Sequence, residues 1–120
     1  MRILIADDNL QVRRGIARLL STEASFHVVG EAGNAPDTIQ QACELLPDVI
    51  LLDLSMSGSN GLDTARTLRQ RVPRSKILIV SQHEPGHLLS FSMDAGAIGC
   101  VDKARISSDL LPALKNLEAA

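Results

Sequence analysis

Residues 1–10 read MRILIADDNL, an apolar run from Ile3 to Ala6 that ends in two adjacent carboxylates, Asp7 and Asp8. An unbroken apolar run of this length has the pattern of a strand buried on both faces, as in a parallel sheet covered by helices. Such a strand leaves no room for charge along its length, so the two aspartates belong where the chain leaves the sheet. Turns and helix caps account for either aspartate alone. Two side by side at the carboxyl end of a strand also suit a cation site, and both readings stand at this point.

The pattern recurs along the chain in HVVGE (27–31), VILLD (49–53), KILIVS (76–81) and IGCVDK (98–103). Between these runs the apolar residues fall at helical spacing: Val12, Ile16, Leu19 and Leu20, then Ile39, Ala42, Cys43 and Leu46, then Ala65, Leu68 and Val72. Asn34-Ala35-Pro36 reads as a helix start, with a capping residue followed closely by proline, and Pro47 as a stop. Gly61 and Leu62 lead into the third helix, which Pro73 ends. In the last segment, SSDLLPALKNLEAA (107–120), a proline in the helix interior costs about 3 kcal/mol but is tolerated in the first turn. The final helix is therefore expected to start near Ser108 or Asp109, with Asp109 as its cap or as a favourable charge at its N-terminus; the alternative is a kink. Five strands alternating with five helices predict an α/β domain with a doubly wound, five-stranded parallel sheet. With no linker, repeat or low-complexity segment, residues 1–120 are expected to form one domain.

The totals exclude several classes. With 45% hydrophobic and 22% charged residues and a net charge of −2, the chain has the profile of a globular domain and no footprint for nucleic acid. Arg66, Arg69, Arg71, Arg74 and Lys76 suit the solvated face of a helix and its exit loop. Phe26 and Phe91 are the only aromatics, too few for a base-stacking platform. No run approaches the ~20 apolar residues of a membrane span, and the first residues form a strand instead of a signal peptide, so the expected compartment is the cytoplasm and no membrane partner is expected. Cys43 and Cys100 form no C-x-x-C and are expected as reduced, partly buried thiols.

In an open parallel sheet the functional crevice lies outside the carboxyl ends of the strands. Strand one delivers Asp7 and Asp8 there, strand three Asp53, strand four Ser81, and strand five is followed by Lys103. Two carboxylates ~4 Å apart at an effective dielectric near 20 repel by ~4 kcal/mol, so three need compensation. Lys103 supplies part of it. Mg²⁺ suits a site with one or two carboxylates, a backbone carbonyl and waters. A carboxylate beside that ion can attack a phosphoryl donor and become an acyl phosphate. Asp53, at the end of the central strand, is the best nucleophile. Ser81 can donate to the new phosphoryl group, and its ~1.5 to 2 added negative charges would draw Ser81 and Lys103 inward, a displacement that can carry a signal.

The motifs IADDN (5–9), PDVILLDLSMSGSNGLD (47–63), KILIVSQHE (76–84) and GAIGCVDK (96–103) resemble those of the receiver domain of bacterial two-component response regulators, over essentially the whole chain. Residues 28–56, VVGEAGNAPDTIQQACELLPDVILLDLSM, look most like receivers that precede a LuxR/NarL-type helix-turn-helix domain. The resemblance implies a flavodoxin-like (CheY-like) fold with strand order 2-1-3-4-5. It makes Asp53 the phosphoacceptor and Asp8, Asp53 and the main-chain carbonyl of Ser55 the Mg²⁺ ligands. Asp7 would act mainly through a metal-bound water, Ser81 would be the switch hydroxyl, and Lys103 would pair with the phosphoryl group. The implied donor is the phosphohistidine of a sensor histidine kinase, or a small donor such as acetyl phosphate. The implied output face is formed by the fourth helix, fifth strand and fifth helix. DNA would be bound through a C-terminal domain outside this chain; homodimer formation is left open.

Several positions depart from the resembled pattern. Cys100 stands three residues before the lysine, where Tyr, Phe or His is usual; a thiol cannot swing like a ring, which predicts a smaller shift of the fourth helix. The alternative is a small core residue packed by Met93 or Leu88. Gln82 follows the switch serine, where a small residue is usual, and is expected to narrow donor access. Ser57 replaces the usual proline, with Gly58 and Gly61 keeping the turn. Ser55 and His83 flank the phosphoryl position and are candidates for tuning its hydrolysis, although His83 equally suits an exposed loop. An aspartyl-phosphate hydrolase would need an acid where Ser55 stands, and a nucleotide binder would need a glycine-rich loop after the first strand. A receiver-like scaffold that binds a partner without phosphorylation is the alternative to the signalling reading.

Overall fold

All five apolar runs become strands: β1 (Arg2–Ala6), β2 (His27–Ala32), β3 (Val49–Leu52), β4 (Lys76–Ser81) and β5 (Gly99–Asp102). They pair in parallel in the order β2-β1-β3-β4-β5, the order the resemblance implied. The computed structural model describes residues 1–56, 60–82 and 93–119. Helices α1 (Leu10–Leu20), α2 (Ala35–Leu45), α3 (Gly61–Arg71) and α4 (Ile106–Ala119) cover the sheet. The fourth of the five expected helices falls mostly on residues 83–92, outside the described residues, so α4 here is the expected fifth helix.

The runs in β1, β3 and β4 are apolar without interruption because the sheet has a core on each side. Leu4, Ala6, Ile50, Leu52, Ile77 and Ile79 face Ala42 of α2 and Ala65, Leu68 and Val72 at α3. Their neighbours Ile3, Ile5, Val49, Leu51, Leu78 and Val80 face Ile16 and Leu20 of α1 and Leu110 and Leu114 of α4. Successive residues point to opposite faces, so these three inner strands need apolar side chains at odd and even positions alike. Full burial of a Leu or Ile side chain stabilises by about 1.5–3 kcal/mol, and a single charge in either set would forfeit that and add a desolvation cost.

Helix starts follow local chemistry. Asn9 caps α1 by accepting from the amides of Gln11 and Val12, Asn34 caps α2 by accepting from Asp37, and Asn60 caps α3 by accepting from Leu62. Two expectations need correction. Leu46, placed above in the apolar face of the second helix, is 62% exposed and sits just past α2 in the left-handed region at φ 48°; the helix ends one residue earlier, two residues before Pro47. The last helix starts at Ile106, not at Ser108 or Asp109. Asp102 caps a short 3-10 turn, Lys103–Arg105, by accepting from Ala104 at 2.9 Å, and that turn runs into α4. Asp109 is therefore no cap. It lies in the first turn, accepts from Ser108 Oγ at 3.0 Å and faces Arg105 at 3.8 Å.

The early start puts Pro112 in the helix interior. Pro112 and Ser108, whose carbonyl loses its i+4 donor, are both exposed, so water can take the place of the missing N–H. Replacing Pro112 with Ala restores that donor in a better helix former and should raise stability by about 1–3 kcal/mol, read as a higher urea midpoint at unchanged slope.

The strand ladders run one step past the sheet at its carboxyl edge. Asp7 N donates to Ala32 O at 3.0 Å, and Asp53 N donates to Ala6 O at 2.9 Å. The backbones of both aspartates are thus fixed by the sheet before their side chains make any contact.

Candidate functional site

Asp7 and Asp53 are each 1% exposed, while Asp8 is exposed. Asp7 continues the strand face of Ile3 and Ile5, toward the α1 and α4 side, where Lys103 enters from the turn after β5. Asp7 Oδ1 accepts from Asn9 N at 2.9 Å; Asp53 Oδ1 accepts from Ser55 N at 2.9 Å and Ser55 Oγ at 2.8 Å. The other two carboxylate oxygens point at one ammonium: Lys103 Nζ lies 2.6 Å from Asp7 Oδ2 and 3.3 Å from Asp53 Oδ2. Among the described residues no hydrogen bond of good direction reaches these two buried oxygens, so the lysine holds them by charge.

Burial opposes the charge on Lys103. Its contact with Asp7 and the fields of Asp53 and Asp7 outweigh that penalty and push its pKa above the usual lysine value. The ammonium is thus firmly protonated at neutral pH.

One oxygen from each of Asp7, Asp8 and Asp53 falls within 4.8 Å of the other two. Three carboxylates formally outnumber the single ammonium by two charges, and the donors are all hard oxygens. Asp7 Oδ2 and Asp53 Oδ2 are buried and, among the described residues, without a directed partner, while the Asp8 carboxylate opens to solvent. This set fits a divalent cation such as Mg²⁺. A buried pair with an exposed third member also gives an ion a route in.

Residues 3–115 match the family described as Response regulator receiver domain. The chain belongs to that family. The Escherichia coli nitrate/nitrite response regulator protein NarL is 40% identical to this receiver over 119 residues, covering 98% of the chain and 54% of that protein. The Pseudomonas putida transcriptional activator protein ExaE is 36% identical over 119 residues, covering 99% and 56%. The chain therefore spans about half the length of the curated relatives it matches. Among solved structures, a LuxR-family two-component response regulator from Aurantimonas sp. SI85-9A1 superposes with a TM-score of 0.92 at 31% identity, covering 98% of this chain and 84% of that one.

The remaining positions singled out in this receiver sort by burial. Ser81 is buried at the end of β4, in register with Asp102. Gln82 is exposed and, with Lys103, Ala104, Val12 and Ile16, lines an open cavity of about 440 Å³ beside the acidic site. Cys100 is half-buried and packs on the core cluster that contains Ile77, Ile79, Ala95 and Ala97. Met93, one of its two expected neighbours, is 48% exposed. Burial, with Asp102 nearby, pushes the Cys100 thiol up, so it stays protonated at neutral pH. Cys43 is likewise a free, partly buried thiol. His83, Ser57, Gly58 and Leu88 lie outside the described residues. No helix among the described residues is long and apolar enough to cross a membrane.

Sequence reasoning missed two contributions. Ser55 was singled out for its carbonyl and its flanking position, yet its amide and hydroxyl both hold Asp53 Oδ1. Arg13, not singled out at all, donates from Nη1 to the backbone carbonyl of Asp7 at 2.5 Å. Its one legible signal was an arginine one turn into the helix that follows the acidic pair.

Proposed function

We propose that this receiver accepts a phosphoryl group on Asp53 and relays the resulting change to an output segment elsewhere in the protein. The observation that carries the reading is the setting of Asp53: a buried carboxylate at the end of the central strand, pinned by Ser55 on one oxygen and facing Lys103 on the other, within reach of Asp7 and Asp8. Asp8, Asp53 and the Ser55 carbonyl would hold Mg²⁺, with Asp7 reaching it through water. When bound, the ion supplies positive charge against the phosphoryl oxygens.

This chain's residues do the rest. An Asp53 oxygen forms the new O–P bond as the bond from phosphorus to the donor breaks, and the leaving group departs with the electron pair. Lys103, held protonated by its neighbours, transfers its contact from Asp53 to a phosphoryl oxygen. Ser81 is the hydroxyl that follows the added charge. The family role points to a sensor histidine kinase as donor, and the transcriptional relatives point to DNA binding by a further segment and to action in the cytoplasm.

Incubation with acetyl phosphate and Mg²⁺, followed by intact-mass measurement, tests the reading. The expected result is a gain of one phosphoryl group in wild type, lost with EDTA and absent in Asp53→Asn. A gain that persists in Asp53→Asn overturns the assignment. No gain, together with no beryllofluoride binding, favours a scaffold that acts without phosphorylation.

A further inference from the structure

Asp8 is the exposed member of the acidic triad, and its aim depends on the peptide that leads into it. The nitrogen of Asp7 is fixed by Ala32, and its carboxylate by Asn9 and Lys103. The carbonyl of Asp7 is fixed by Arg13, whose Nη1 donates to it at 2.5 Å. That carbonyl and the Asp8 amide share one rigid plane, so whatever holds the oxygen sets the direction in which Asp8 leaves β1. Arg13 is in turn aimed from a third element: its Nε donates to Glu31 Oε1 on β2 at 3.2 Å, and its side chain is 16% exposed. Gly33, just past β2, leaves room for this arrangement; a Cβ there would sit 3.2 Å from Arg13 Nη1.

We propose that Arg13, anchored by Glu31, is a positioning residue that orients Asp8 for the divalent cation. The inference rests on the metal reading of the site. Charge and position pull in opposite directions here, which makes the role testable. Arg13 is a cation close to the acidic cluster, so through-space repulsion alone predicts that its removal tightens cation binding. Positioning predicts the reverse, since losing a residue that orients a metal ligand typically weakens affinity by about 10–100-fold.

The test is titration with Mn²⁺, read from the paramagnetic resonance signal of the free ion, with Mg²⁺ in competition. Arg13→Met should bind about tenfold more weakly than wild type. Glu31→Ala should weaken binding similarly, whereas Glu31→Gln, which loses the same charge but keeps an acceptor for Nε, should stay within about twofold of wild type. Thermal melts of the Glu31 pair separate loss of fold from loss of aim. Without metal, amide exchange at Asp8 should accelerate in Glu31→Ala and not in Glu31→Gln. Equal affinities for the two Glu31 variants, or tighter binding by Arg13→Met, overturn the positioning role. A wild-type chain that takes up no Mn²⁺ overturns the metal reading, and the role built on it.

Discussion

Replacing Lys103 with Met should cost about 3–5 kcal/mol of folding stability at neutral pH without divalent cations, because it leaves two buried carboxylates without the ammonium they both face. The magnitude belongs to a buried pair: the side chains of Lys103, Asp7 and Asp53 are 11%, 2% and 2% exposed, so solvent screens little of the loss. Urea denaturation of Lys103→Met, Asp53→Asn and the double variant reads the effect. Asp53→Asn alone removes one of the mutually repelling carboxylates and should be neutral or stabilising, and it should lessen the cost of Lys103→Met in the double variant. Adding Mg²⁺ should recover part of the stability of Lys103→Met, since a ligand that binds only the folded state stabilises by mass action. An Mg²⁺ response absent from both wild type and Lys103→Met would count against a cation site among these three aspartates.

The same lysine sets an alkaline limit. Its folded pKa is raised above the ordinary value of 10.5 by the contact with Asp7 and the field of Asp53. The folded state therefore binds this proton more tightly than the unfolded state. The stability so gained is fully present below about pH 10 and is lost as pH rises through the folded value. Wild type should thus lose stability above pH 10 through this group, and Lys103→Met should not.

The readability of these features differed from residue to residue for physical reasons. Strands β1, β3 and β4 were legible because both faces of the sheet are buried, so each is an unbroken apolar word. The convergence of Asp7, Asp8, Asp53, Ser81 and Lys103 followed from topology alone, since parallel strands bring their carboxyl ends to one edge. The division of labour between Asp7 and Asp8 did not follow, because burial of one and exposure of the other depends on which strand face the chain continues. The start of α4 was not legible because Pro112 is costly inside a helix, while the 3-10 turn that runs into α4 begins at a cap, Asp102, that is also the last residue of β5. Leu46 fitted a helical stripe but lies past the turn where Pro47 forbids continuation. The hydroxyl of Ser55 and the reach of Arg13 to Asp7 are tertiary contacts that leave almost no trace in local pattern.

Gly61→Ala should be the most damaging small substitution near the site, although it adds a single methyl group at the first position of a helix. A Cβ at Gly61 would run into the Cα, the carbonyl carbon and the carbonyl oxygen of Leu54, all backbone atoms with no rotamer to yield. Helix α3 or residues 54–56 must move, at a cost of about 1–3 kcal/mol for overpacking. A functional effect should accompany the stability effect, because Leu54 separates Asp53 from Ser55 and a shift there strains both Ser55 bonds to Asp53 Oδ1. Misplacing a reacting group by about 1 Å can cost on the order of 100-fold in rate, so the acetyl phosphate reaction should slow by about 10–100-fold. Gly15→Ala is the matched control: a Cβ there meets nothing within 4 Å, and removing glycine from the interior of α1 should stabilise by up to about 1 kcal/mol without changing the rate. Parallel time courses of mass gain and urea melts for the two variants separate the cases. Wild-type phosphorylation in Gly61→Ala would mean that Asp53 and Ser55 keep their geometry without the close packing of α3 on Leu54.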